Sequence, residues 1–207
     1  MIKSASEIRS AARATLSGHW AEAAMLTFVY CIVAWAFSAL VGGLEYVQQG
    51  LGTVATLLML PLSWGYTVTF LSNARGENDP FNVSRIFDGY KDFGRIFITV
   101  LLMQIYIFLW TLLLIIPGII KSLSYAMTPF VLRDNPEMKN NEAIELSMKM
   151  MNGHKVDLFW LYLTFIGWAI LCIFTLGIGY FWLVPYMSST FANFYEEVKA
   201  DYQSKSL

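Results

Sequence analysis

Two histidines are the only imidazoles in the chain. His19 and His154 each follow a glycine, as Gly18-His19 and Gly153-His154. A zinc centre takes three or four converging His, Cys or carboxylate ligands. Two histidines far apart in sequence fall short of that set, so both read as interfacial residues at helix starts. The two cysteines, Cys31 and Cys172, lie inside apolar runs and read as small packing residues rather than a disulfide. Neither a metal nor a cofactor is expected.

Other chemistries need patterns that this chain lacks. There is no His-Glu-x-x-His, no Gly-x-Ser-x-Gly and no glycine-rich phosphate loop. The acidic pair Glu196-Glu197 has no histidine after it and reads as a solvated helix end. No catalytic residue is assigned.

Lys121 is a charge that interrupts an apolar stretch. A charge near a membrane span is costly and is a site candidate for that reason. Ser122, Ser124, Tyr125 and Thr128 follow it, and Gln104 and Tyr106 precede it on the neighbouring apolar run. Gln104, Tyr106, Lys121, Ser124, Tyr125 and Thr128 are therefore the candidate polar cavity. The competing and favoured reading is that Lys121 snorkels to headgroups one turn away.

The elements that position these residues are apolar to an unusual degree. Of 207 residues, 57% are hydrophobic and 14% charged, against about 25% charged in an average soluble domain. Mean hydropathy is +0.52. No charge occurs over 23–44, 46–74, 96–120 or 158–195. Runs of about 18 or more such residues are transmembrane candidates. This excludes a soluble enzyme and a disordered tail. A net charge of −1 leaves no basic field for nucleic acid.

A repeat organises these runs. Gly18 and Gly42, Gly94 and Gly118, and Gly153 and Gly177 are each 24 residues apart. Each pair brackets an apolar segment with a tryptophan in its second half: Trp35, Trp110 and Trp168. About 30 Å of helix, one bilayer core, fits between them. An amphipathic segment precedes each first glycine. The first carries Ala5, Ile8, Ala12 and Leu16, with Ser4 and Glu7 spaced as a capping box. The second, 80–93, carries Val83, Ile86, Phe87 and Tyr90. The third, 136–152, carries Ile144, Met148 and Met151, with Asp134 and Glu137 spaced as a second box. Gly18 and Gly153 suit the helix C′ position, where φ is positive. A return segment with a proline follows each second glycine, at Pro61, Pro129 and Pro185. Tyr125-x-x-Thr128-x-Phe130 matches Tyr186-x-x-Ser189-x-Phe191.

The fold expected is a single all-α integral membrane domain over 1–207. It holds six transmembrane helices as three hairpin repeats, about 4–72, 80–132 and 136–195. Each repeat begins with a cytoplasmic amphipathic interfacial helix. The weakest span is 119–132, which is short, starts near Lys121 and contains Pro129. It is taken as a crossing, with a re-entrant segment as the alternative. The turns expected near 43–50, 116–119 and 176–180 hold no Lys or Arg, and of 14 basic residues only Lys121 falls on that half. The positive-inside rule then puts both termini in the cytoplasm.

These motifs together resemble a known family. Gly18-His19-Trp20, the Ile115-Ile116-Pro117-Gly118-Ile119-Ile120 turn, Thr128-Pro129-Phe130, Asp134-Asn135-Pro136, Asn141 to Ser147 and Leu176-Gly177-Ile178-Gly179 carry the resemblance. It is to the bacterial integral membrane family catalogued as domain of unknown function 975. The resemblance implies a multi-pass protein of the bacterial cytoplasmic membrane and implies no reaction.

The function expected is non-enzymatic: moving or sensing a small or amphiphilic molecule, or organising the bilayer. A small lipid-modifying membrane enzyme is the alternative. Membrane lipids are the expected partners and nucleic acid is not. A second copy or another membrane protein stays open.

Overall fold

The computed structural model describes residues 2–45 and 57–205. Among these, every regular element is helical. The expected turn over 43–50 and the start of the return segment at 51–72 lie largely outside the described residues.

The chain opens with α1 (Ala5–Leu16), whose start is written in its first residues. The Ser4 backbone N–H donates to Glu7 Oε2 at 2.7 Å, and the Glu7 N–H donates to Ser4 Oγ at 3.4 Å. This reciprocal box satisfies donors that a helix start leaves free. Ile8, Ala12 and Leu16, one turn apart, are all buried. Gly18 ends the segment at φ +87°, as expected for a C′ glycine.

Four helical stretches are long and apolar enough to cross a membrane: Trp20–Ala39, Phe93–Leu113, Ile115–Asp134 and Lys155–Phe174. The first belongs to α2 (Trp20–Glu45), which runs on past Gly42. Gly42 therefore does not end its helix as the 24-residue spacing implied. Next comes α3 (Leu60–Ala74), only 15 residues long. A 3-10 helix, Val83–Tyr90, occupies the second amphipathic segment, where an α-helix was expected. Then follow α4 (Phe93–Leu113), α5 (Ile115–Tyr125) and α6 (Thr128–Asp134). The last three are α7 (Asn140–Met150), α8 (Lys155–Phe174) and α9 (Tyr180–Lys205).

The fourth apolar run is longer than its sequence suggested. Only Leu114, in extended conformation, separates α4 from α5, so the helix starts at Ile115 rather than at 119. The reversal is tight because Gly118 has no side chain. A Cβ there would stand 2.3 Å from Thr111 Oγ1 and 2.8 Å from its Cα. After Tyr125 the helix breaks. Pro129 has no N–H for the Tyr125 carbonyl one turn back, and α6 resumes with Pro129 in its first turn.

The proline-bearing helices α3, α6 and α9 form the centre, and the most apolar ones lie outside them. In α3, Leu62, Val68, Phe70 and Leu71 are buried, as are Phe130, Val131 and Leu132 of α6 and Ala192, Phe194 and Tyr195 of α9. Phe130 stacks on Tyr195 with centroids 5.1 Å apart. By contrast Trp35, Trp110 and Trp168 all face outward, with Phe174 81% exposed. Burying hydrophobic groups drives folding in water; an outer belt of exposed aromatic and aliphatic groups suits hydrocarbon instead.

Helix α1, the 3-10 helix and α7 each pack on a different helix. Helix α1 lies on α9: Tyr186 Oη donates to the Arg9 carbonyl at 3.4 Å, and Thr15 Oγ1 is 3.1 Å from Ser189 Oγ. The 3-10 helix lies on α3, where two glycines allow backbone to touch backbone. A Cβ on Gly65 would be 2.2 Å from the Ile86 carbonyl oxygen, and one on Gly89 2.2 Å from that of Pro61. Helix α7 lies on α5, with Ser147 Oγ donating to the Ser124 carbonyl at 2.9 Å. It starts at Asn140, later than the Asp134 box implied, and the Lys139 N–H donates to Glu142 at 2.9 Å.

Candidate functional site

The densest polar chemistry lies where α3, α6 and α9 converge. Asp134, the last residue of α6, is its hub. Arg75 Nη1 and Nη2 donate to its two oxygens at 2.8 and 2.7 Å. Tyr195 Oη and Lys199 Nζ donate to Oδ2 at 2.7 and 2.5 Å. Arg75 Nε also donates to Glu196 at 2.8 Å. A second group adjoins it. Arg133 Nη2 reaches Glu77 at 2.6 Å while its Nη1 donates to the Val68 carbonyl at 2.7 Å. Arg85 joins Glu77 at 3.0 Å and Ser72 Oγ at 2.6 Å. Lys3 pairs with Glu197 at 2.5 Å. Glu196 and Glu197 are thus ion-pair partners rather than a solvated helix end.

Four cations meet three carboxylates in this cluster, and Asp134 is 9% exposed. Burial pushes the Glu77 carboxyl up, but the bond from Arg85 and the field of Arg133 outweigh this and hold it below the ordinary carboxylate range. The Arg75 guanidinium is held more firmly protonated by Asp134. Carboxylates engaged by several cationic donors stay ionised. Such groups pin helix ends together and are poorly placed to pass protons.

Sequence reasoning missed this cluster, although a spacing signal for it exists. Tyr66, Tyr125 and Tyr186 are each followed three residues on by a hydroxyl residue, Thr69, Thr128 and Ser189. Nine residues after each tyrosine come Arg75, Asp134 and Tyr195, the three side chains that meet at the hub.

The residues expected to line a polar cavity are only partly together. Lys121 Nζ lies 4.9 Å from the Trp110 ring centroid, 5.9 Å from that of Tyr125 and 3.9 Å from Met148 Sδ. Tyr106 is 6.4 Å from Tyr125, ring to ring, and donates to Asn141 at 3.3 Å. Gln104 is exposed and makes no hydrogen bond to them. Ser124 Oγ turns back to the Ile120 carbonyl at 2.8 Å. Thr128 is fully buried, and its hydroxyl is the one buried side-chain polar atom without a partner among the described residues. The Ser124 carbonyl, one turn before it, already accepts from Ser147.

The cavity beside this group has mostly apolar walls. It measures about 370 Å³ and lies between α4, α5 and α8, against Met103, Ile107, Leu123, Tyr125, Phe159 and Tyr162.

The remaining candidates lie apart. His19 Nδ1 is 2.7 Å from Glu22 Oε2. His154 sits between Asp201 at 2.9 Å and Asp157 at 3.4 Å. No group of three or more His, Cys, Asp or Glu residues positioned to hold a metal occurs among the described residues. Cys31 and Cys172 are free thiols. Gly153 and Gly177 have φ of +91° and +87°. Gly94 instead lies in the first turn of α4 without a positive φ, so it is not the helix-ending counterpart of Gly18 and Gly153.

Compared with known families, the chain matches the one described as protein of unknown function (DUF975), over residues 1–121 and 111–202. The chain belongs to this family. Membership leaves activity open, and no curated protein and no solved structure matches the chain. Within this DUF975 chain, the ion-pair hub, the Lys121 group and the apolar cavity are the features with chemistry to offer.

Proposed function

We propose that this DUF975 chain is a non-enzymatic membrane protein that holds and organises amphiphilic molecules within a ring of three hairpins. Six helices cross the bacterial cytoplasmic membrane, with both termini inside. The packing order supports the ring: α1 on α9, the 3-10 helix on α3, and α7 on α5. Each amphipathic segment thus leans on the return helix of the preceding hairpin, and the first leans on the last. The meeting of Arg75, Asp134 and Tyr195 at matching registers supports an axis through the return helices.

The observation that carries the functional reading is the apolar cavity between α4, α5 and α8. Its volume of about 370 Å³ falls in the range of about 300–1,000 Å³ usual for small-molecule sites. Its walls suit a hydrocarbon chain, with the hydroxyls of Ser122, Tyr125 and Tyr162 at hand. The carboxylates of the hub are each matched by cations, which suits a girder better than an acid–base pair.

The test is to purify the protein in mild detergent and determine the retained lipids by native mass spectrometry, then to incubate it with mixed phospholipid vesicles. Retained amphiphiles and an unchanged vesicle composition are expected. Appearance of a new lipid species during incubation would favour the lipid-modifying enzyme and overturn this reading.

A further inference from the structure

Of the six arginines, Arg75, Arg85, Arg95 and Arg133 are in ion pairs. Arg9 and Arg13, one turn apart on α1, have no carboxylate partner among the described residues. Among the described residues Arg9 donates only to the Ala5 carbonyl, at 3.4 Å. Arg13 donates from Nε to Tyr186 Oη at 3.1 Å, and its Cζ lies 5.3 Å from the Tyr186 ring centroid. Held by that ring, the exposed guanidinium keeps its terminal nitrogens without a partner among the described residues.

A groove of about 320 Å³ starts at this guanidinium. Trp20 and Tyr186 flank its head, with centroids 6.1 Å apart. Its walls are Trp168 and Cys172 of α8 and Trp182 and Leu183 of α9, and Gly179, in the turn between those helices, also lines it. Trp168 and Trp182 are 46% and 51% exposed, so the groove opens sideways onto the apolar belt. One end is cationic and the rest is hydrocarbon-like. No carboxylate lines it, so an ammonium headgroup would meet only the repelling Arg13.

We propose that the groove between α8 and α9 binds an anionic phospholipid, its phosphate on Arg13 and one acyl chain lying along Trp168, Cys172 and Leu183 toward the α8–α9 turn. Arg presents forked donors that match phosphate oxygens. The flat indoles of Trp168 and Trp182 add a wall for the chain, and Trp20, beside Tyr186 at the head, suits interfacial depth. The proposal rests on the membrane reading above and deepens it by naming a ligand class and a second site.

The experiment reconstitutes the full chain into phosphatidylcholine vesicles containing dibrominated phosphatidylglycerol or dibrominated phosphatidylcholine, and measures tryptophan quenching. Half-maximal quenching is expected at about fivefold lower mole fraction of the glycerol lipid, the effect of about one basic residue at an anionic surface. Arg13→Gln should bring the two lipids within about twofold, and Arg13→Lys should keep most of the preference. Unchanged melting of both variants in detergent verifies their folds. Equal quenching by both lipids in the parent protein overturns the proposal, as does a preference that survives Arg13→Gln. Abolition of the preference by soluble glycerol 3-phosphate would assign the site to free phosphate and overturn it too. A chain that fails to enter vesicles defeats the membrane reading itself, whereas an inserted chain quenched equally defeats this proposal alone.

Discussion

Arg75 and Asp134, 59 residues apart in the chain, meet as a two-pronged ion pair with N···O distances of 2.8 and 2.7 Å. The pair joins the end of α3 to the end of α6, and Tyr195 and Lys199 bring α9 to the same carboxylate. Taking one partner from a buried pair leaves the other charge uncompensated, which costs about 3–5 kcal/mol. Asp134→Ala is expected to lose stability on that scale, because it strands Lys199 and leaves Arg75 with Glu196 alone. Arg75→Ala should lose less, since Asp134 keeps two donors. The double variant should lose less than the sum, because the sites share a network. Melting of the purified protein in detergent checks this, and simple additivity would deny the coupling.

The same cluster predicts an acid limb in stability. Glu77 is held below the ordinary carboxylate range in the folded chain. An unfolded glutamate titrates near 4.3. Between those two values the unfolded state binds the extra proton, so stability falls as pH falls. The contribution of Glu77 is complete above about pH 5 and lost as pH drops through its depressed folded value. Glu77→Gln should lower melting at pH 7 and flatten the decline below pH 4. A variant that declines as steeply as the parent would remove Glu77 from this role.

Backbone contact between the 3-10 helix and α3 makes its glycines a sharper test than its charges. Gly65→Ala and Gly89→Ala each drive a methyl group to 2.2 Å from a carbonyl oxygen. Overpacking costs about 1–3 kcal/mol where side chains yield, and backbone yields less, so each should exceed about 2 kcal/mol. Gly94→Ala is the contrast: nothing lies within 4 Å of its Cβ, and a helical alanine is favoured over glycine by up to about 1 kcal/mol. In the same segment Ile86 is fully buried whereas Phe87 is 44% exposed. Ile86→Asp should therefore release the segment from α3, and Phe87→Asp should be tolerated in detergent.

These details mark where sequence reasoning stops. Local signals were legible: the Ser4–Glu7 box, the Ile8–Ala12–Leu16 stripe, and the positive φ of Gly18 and Gly153 all follow from residues within a turn of one another. Tertiary demands were not. Asp134 has the spacing of a helix cap but is claimed by Arg75, Lys199 and Tyr195, and α7 starts later, at Asn140. Val83–Tyr90 has helical periodicity, yet it is wound as a 3-10 helix, and in it Gly89 meets Pro61 and Arg85 reaches Ser72 and Glu77. Lys121 and Tyr106 each lie near Tyr125, but the open space beside them is walled by Met103, Ile107 and Phe159, which apolar composition alone does not single out.

Orientation is the remaining property that sequence predicts and labelling can decide. On the sequence reading, of 14 Lys and Arg residues only Lys121 is expected on the half opposite the others, because translocation leaves basic loops in the cytoplasm. The α8–α9 turn then faces outward and the α7–α8 turn inward. Leu176, in the first, is 95% exposed, and Asn152, in the second, is also exposed. Single cysteines at these places, in a chain carrying Cys31→Ser and Cys172→Ala, report each side. An impermeant maleimide on intact cells should modify Leu176→Cys and spare Asn152→Cys, and permeabilised cells should lose the difference. The reverse pattern on intact cells would place both termini outside and, with them, the cationic groove of Arg13 on the outer leaflet.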